Sequence, residues 1–182
     1  ICGIANAWNQ VGLDIAGSFR EDEFGDAVAI NYDGTIIAAG APQDSDEGYV
    51  KVFEWNSLSA SWDQLGSTLI GESPEDMFGE AISLSSNGTI LAVGARMNDG
   101  VANNSGHIRV FQFDGLDWVQ MGSDIDGTGE ADTFGSSLAL SGDGSRLVAG
   151  APWSWRDGDY SSAGHVQSYY WDGSTWLPLG SE

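Results

Sequence analysis

Carboxylates hold most of the chemical capacity of this chain: 27 Asp and Glu among 182 residues. Asp22, Asp76 and Asp132 each stand two residues before a Phe-Gly pair, at Phe24, Phe78 and Phe134. Glu21, Glu23, Glu72, Glu75 and Glu130 crowd the same places, and later loops add Asp44, Asp46 and Glu47, then Asp99, then Asp157 and Asp159. Oxygen-rich clusters suit Ca²⁺, a hard ion that takes six to eight oxygens, rather than a transition metal. Asp22, Asp76, Asp132, Asp44 and Asp46 are therefore the candidate metal ligands, with Ca²⁺ as the ion and no other cofactor expected. The competing reading is structural: an Asp two residues before a strand fixes the entry turn by hydrogen-bonding nearby backbone. Both readings stand on the sequence.

Trp153, Trp155, Arg156 and Tyr160 fall together in one loop and are the candidate ligand-binding residues. Aromatics beside acids stack on sugar rings or anchor a protein partner, or else cover an apolar edge of their own fold. His107 and His165 each follow a glycine, and Tyr49 holds the equivalent place, so these histidines read as structural rather than catalytic or metal-binding. No Ser/His/Asp arrangement, His/Cys metal motif or phosphate loop can be assembled. Two carboxylates could do glycosidase chemistry, but among 27 acids a pair carries no specificity. The expected class is non-enzymatic. Two sequons, Asn87-Gly88-Thr89 and Asn103-Asn104-Ser105, are candidate N-glycosylation sites; Asn87 also suits a hairpin turn, whereas Asn103 lies in a long loop.

A formal net charge of −21 disfavours nucleic acid as a partner and attracts cations or basic proteins. No run of eighteen apolar residues suggests a membrane span. Cys2 is the only cysteine and cannot form a bridge within the chain. The chain opens on Ile1-Cys2-Gly3-Ile4 without an initiator Met, which reads as mature or trimmed protein.

The elements that position these residues are set by an internal repeat. Trp8, Trp62 and Trp118 precede the three Phe-Gly pairs by a fixed interval, and Gly40-Ala41, Gly94-Ala95 and Gly150-Ala151 follow them by another. Each unit holds four apolar stretches divided by turn signals, with Asp33-Gly34, Asn87-Gly88 and Asp143-Gly144 between the first two. Such pairs favour tight primed hairpin turns. Four antiparallel strands repeated radially describe propeller blades. The expected fold is all-β: three four-stranded blades at 18–71, 72–127 and 128–182, with 1–17 as the outer strand of a preceding blade. The Trp of each fourth strand is expected to pack. Strand parity puts the acids and the loops of variable length, Gly40–Gly48, Gly94–Gly106 and Gly150–Gly164, at one end of the blades, where binding usually resides.

Phe-Gly, a hairpin and then Gly40-Ala41-Pro42, Gly94-Ala95-Arg96 and Gly150-Ala151-Pro152 resemble the FG-GAP repeat, which builds the propellers of integrin α subunits. The Trp-x3-Gly-x2-Ile-x-Gly stretches at Trp8–Gly17 and Trp118–Gly127 are similar to its tandem-repeat subgroup in extracellular proteins of marine microbes and algae. The resemblance spans nearly the whole chain and implies an extracellular or cell-surface location. One feature departs from it: the family's Asp-rich calcium loop in the first hairpin is replaced by a bare Asp-Gly or Asn-Gly turn, so that calcium site does not carry over.

Propellers usually have four to eight blades. Three would leave apolar faces open, so three arrangements are consistent with the sequence: a piece of a longer propeller, a ring or filament of several copies, or a compact three-bladed monomer. The functional expectation is a structural or adhesive module that binds further blades, other copies of itself or basic proteins through its acidic loop face. The alternative is a glycan-binding propeller using the loop aromatics, and a propeller hydrolase ranks third.

Overall fold

Each repeat unit folds into one antiparallel sheet in a computed structural model that describes residues 8–43, 47–154 and 163–180. Blade 1 comprises β1 (Val28–Ile30), β2 (Ile36–Ala41), β3 (Tyr49–Asn56), β4 (Ser61–Gln64) and β5 (Leu69–Ile70), in the order β1-β2-β3-β4 with β5 also on β3. Blade 2 comprises β6 (Phe78–Leu84), β7 (Ile90–Ala95), β8 (His107–Phe113), β9 (Trp118–Gln120) and β10 (Ile125–Asp126). Blade 3 comprises β11 (Ser137–Leu140), β12 (Arg146–Ala151), β13 (His165–Trp171) and β14 (Trp176–Pro178). The described residues contain no helix, and no helix is long and apolar enough to cross a membrane. The architecture is a partial β-propeller.

The core lies between the blades. Ile36, Ala38, Val50 and Val52 of blade 1 pack on Phe78, Leu91, Val93, Phe111 and Trp118 of blade 2. Ile108, Val110 and Ile125 of blade 2 pack on Phe134, Leu147, Ala149, Tyr169 and Trp176 of blade 3. Alternate residues of β7 thus face opposite neighbours, Leu91 and Val93 toward blade 1 and Ala92 toward blade 3, which is why this strand is apolar throughout instead of alternating with polar residues.

Both dipeptide signatures are explained at these junctions. A Cβ on Gly40 would collide with the Gly79 carbonyl oxygen, and one on Gly94 with the Gly135 carbonyl oxygen. The Phe-Gly of one blade therefore nests on the Gly-Ala of the blade before it, at backbone contact. The Trp-x3-Gly spacing is a second junction. Trp62, Trp118 and Trp176 donate Nε1–H to the carbonyls of Val11, Leu65 and Met121, at 3.0, 2.9 and 3.2 Å. Each accepting carbonyl precedes a glycine of positive φ, at Gly12, Gly66 and Gly122, over which an aromatic ring lies.

Three expectations are revised. The first hairpins are not two-residue primed turns: Asn31 still pairs with Ile36, and of the residues between them only Gly34 has positive φ. The Asp33 carboxylate accepts the Thr35 amide and hydroxyl, as Asp143 does from Ser145, and this capping stabilises a wider turn. The fourth strands of blades 1 and 2 break after Gln64 and Gln120 and rejoin as β5 and β10. Finally, residues 8–17 form no strand and Trp8 is fully exposed, contrary to the packed fourth-strand Trp expected there; residues 1–7 of the expected outer strand lie outside the described residues. The segment is held to blade 1 by the bond from Trp62 Nε1 to the Val11 carbonyl, with Gly12 lying against the Trp55 and Trp62 rings.

Candidate functional site

The recurring Asp22, Asp76 and Asp132 are buried, one at the entrance to each blade. Asp22 accepts the amides of Ser18, Phe19 and Phe24 at 2.7, 3.0 and 3.2 Å, together with the Tyr49 hydroxyl. Burial pushes this carboxyl up, but the hydrogen bonds from Tyr49, Phe19, Phe24 and Ser18 outweigh it and leave it below the ordinary carboxylate value. The same pair raises Tyr49, through burial first and then its bond to Asp22. Asp132 accepts the Gly129 amide at 2.8 Å, and Asp76 accepts Asn98 Nδ2 at 2.8 Å. Asp22 and Asp132 are thus directed into their entry turns and Asp76 onto Asn98 of the β7–β8 loop, and the three join no common group of ligand side chains among the described residues. Asp44 and Asp46 lie outside the described residues.

Of the aromatic loop, Trp153 is described and is 59% exposed; Trp155, Arg156 and Tyr160 lie outside the described residues. Asn103 is exposed in its loop, while the Ser105 of its sequon is buried. Asn87 is exposed too, with Oδ1 accepting Ser85 Oγ and the Thr89 amide and hydroxyl, as a turn residue does.

A grouping that the repeat does not announce surrounds His107. Ligand atoms of Glu72, His107 and Asp124 all lie within 4.8 Å of one another. His107 Nδ1 faces Glu72 Oε2 at 4.0 Å and Asp124 Oδ2 at 3.9 Å, with 2% of the His107 side chain exposed. Nε2 is buried without a hydrogen-bond partner. Burial lowers the imidazole pKa, against the pull of Asp124, Glu72 and Asp126 and with help from Arg109. Asp126 is raised, by burial first and also by Asp124 and Glu72. Sequence reasoning missed this group because Glu72 and Asp124 share no motif with His107; only the exchange of Tyr49 for His107 between units hinted at a local difference.

Two faces of the sheet stack are open. Val28 and Ile30 pair in register with Ala39 and Ile37, on the side where Ile82 and Leu84 of blade 2, or Leu138 and Leu140 of blade 3, pack on the preceding blade. In blade 1 they are 72% and 63% exposed. A cleft of about 340 Å³ lined by Phe19, Gln43, Tyr49, Lys51 and Ile70 lies over β3 and β5 of the same blade. At the other end, β12 and β13 expose Val148 and Val166. There Arg146 and Ser168 occupy the positions of Ile36 and Val52 in blade 1 and of Ile90 and Val110 in blade 2.

No family model matches the sequence, and no curated protein matches it. Solved structures do resemble it. A Bacteroides fragilis protein proposed to be a 6-phosphogluconolactonase superposes with a TM-score of 0.56 at 14% identity, over 84% of this chain and 37% of that one. A Lactobacillus plantarum protein does so at 0.51 and 17% identity, over 85% and 40%. The WD40 repeats of RRP9 do so at 0.52 and 14% identity, over 88% and 39%. WD40 repeats are propeller blades, so these likenesses establish a propeller fold. The chain spans about two fifths of the length of these structures.

Proposed function

We propose that this chain is a non-enzymatic propeller segment of the extracellular or cell-surface type, and that it works by joining its blades to further blades. The observation that carries the reading is the open face of blade 1. Val28 and Ile30 stand in water where their counterparts in the next two blades are packed. Apolar side chains left exposed where their repeat counterparts are packed mark a site of association. The partners are further blades, from the same protein or from another copy. The FG-GAP resemblance of Phe24-Gly25, Phe78-Gly79 and Phe134-Gly135 supports the extracellular assignment, and the sequon at Asn103 agrees with it. The non-enzymatic reading rests on the entry acids, whose carboxylates are engaged by backbone amides at Asp22 and Asp132 and by the Asn98 side chain at Asp76. The lactonase proposed for one structural neighbour belongs to that protein and enters here only as the competing class.

The test is the native mass of this 19.2 kDa chain by light scattering behind size exclusion. A defined oligomer or filament is the expected result, and a monodisperse monomer would overturn self-completion. A second reading, glycan binding, is favoured by the exposed indole of Trp153. A Trp153→Ala variant that retained full binding to a glycan array would remove it.

A further inference from the structure

We propose that Glu72, His107 and Asp124 form a site for one transition-series divalent cation of the Zn²⁺ class, at the junction where blade 1 hands the chain to blade 2. The donor set is one imidazole nitrogen and two carboxylate oxygens. That composition suits Zn²⁺, Mn²⁺ or Co²⁺ better than Ca²⁺, which takes six to eight oxygens. The gaps of 4.0 and 3.9 Å from Nδ1 to the two oxygens are too long for hydrogen bonds. They are within the span of an ion holding each ligand at about 2.0–2.2 Å.

The imidazole supplies the independent reason to expect an ion. The His107 side chain is almost wholly enclosed and makes no hydrogen bond, with Nε2 sealed in the interior. Nδ1 is therefore its one polar outlet, and that outlet points between two carboxylates. At the equivalent place in blade 1, the Tyr49 hydroxyl reaches Asp22 and Ser18, so the same strand position is satisfied there by direct bonds. The shorter imidazole leaves the corresponding space in blade 2 to be bridged.

The neighbours hold the ligands in place. Asp124 Oδ1 accepts Gln120 Nε2 at 2.6 Å and faces Arg109 Nε at 3.9 Å, which leaves Oδ2 toward His107. Arg109 is anchored in turn by Gln120 Oε1 at 3.1 Å and by the Ile70 carbonyl at 3.2 Å. Outer-shell contacts of this type orient a ligating carboxylate. Glu72 is half exposed, so an ion has a path in and water completes its coordination. The ion would tie the linker bearing Glu72 to β8 and to the turn before β10.

The experiment uses the whole chain, stripped of metal, at about 0.15 M salt so that the diffuse acidic field is screened. Co²⁺ is titrated and followed by its visible absorption, then displaced with Zn²⁺. One ion per chain is expected, and the melting temperature should rise by about 5 °C at a hundredfold excess over Kd. Glu72→Gln is half exposed in the fold and should keep its structure while losing affinity by about tenfold or more. His107→Tyr installs the side chain that blade 1 carries at this position and should abolish the Co²⁺ band. The proposal is overturned if no Co²⁺ band forms, if both variants bind as the parent does, or if Mg²⁺ and Ca²⁺ raise the melting temperature equally.

Discussion

Asp143 makes the stability of a hairpin depend on pH. Hydrogen bonds from Ser141 Oγ, the Ser145 amide and the Ser145 hydroxyl hold its carboxyl at about 2, against 3.8 ordinarily. A folded-state value below the unfolded one contributes stability that is present above 3.8 and lost as pH falls through about 2. Asp33, Asp114 and Asp172 are lowered by turn bonds of the same kind and act in the same direction. Asp143→Asn should fold, because Asn87 fills the same place in blade 2 with the same acceptor pattern. The variant should melt below the parent near neutral pH, and the difference should vanish as pH drops from about 4 to about 2, read from melting curves across that range. A constant difference over the whole range would show that the charge contributes nothing. The Asp-Gly and Asn-Gly dipeptides made these turns visible in the sequence. Their wider geometry was hidden because the side-chain caps, not φ preference alone, select it. The His107 group was hidden for a related reason: its carboxylates come from a linker and a strand end that only the folded register brings together.

At the scale of the element, a blade is held to its neighbour by an indole and a glycine that belong to different repeat units. Trp118 Nε1–H reaches the Leu65 carbonyl, and Gly66 lies under the ring. Trp118→Phe keeps most of the apolar contact but orphans that carbonyl, so urea unfolding should show a loss of about 1 kcal/mol. Gly66→Ala should cost more, about 1–3 kcal/mol, since φ is +74° and a Cβ would sit 2.8 Å from Trp118 Cδ1. The equivalent Trp62→Phe should cost less, because Trp62 is only half buried. An order reversed from this, with Trp62→Phe the most damaging, would contradict the latch. The spacing Trp-x3-Gly was plain in the sequence, as were the blades it marks. That each Trp bonds the carbonyl before the glycine of the preceding unit was not, because periodicity gives the register of strands within a unit and leaves the contact between units unspecified.

For the whole molecule, the decisive contrast is between equivalent positions in different blades. Leu84 and Ile82 are packed against blade 1, so a charge there would be buried and should unfold the chain. Ile30 and Val28 occupy the same sheet face in blade 1 yet lie in solvent. Val28→Glu with Ile30→Glu should therefore leave the melting temperature of the isolated chain within about 1–2 °C of the parent, as surface changes do. If blades are completed by association, the same pair should shift the native mass to that of a single chain, because two charges would have to be desolvated at the contact. Added negative charge alone is controlled by Leu58→Glu with Leu116→Glu. Both leucines are exposed at the outer edges of their blades, away from the open face, and these changes should leave the mass unaltered. Loss of assembly in both variants would make net charge the cause, whereas loss in the first alone would assign the contact to the open face of blade 1. The arrangement on the other side fits an end that meets a different surface. Arg146 and Ser168 replace the aliphatic residues of the interior blades, so the two open faces are not copies of one another and favour head-to-tail contact over a symmetric pair.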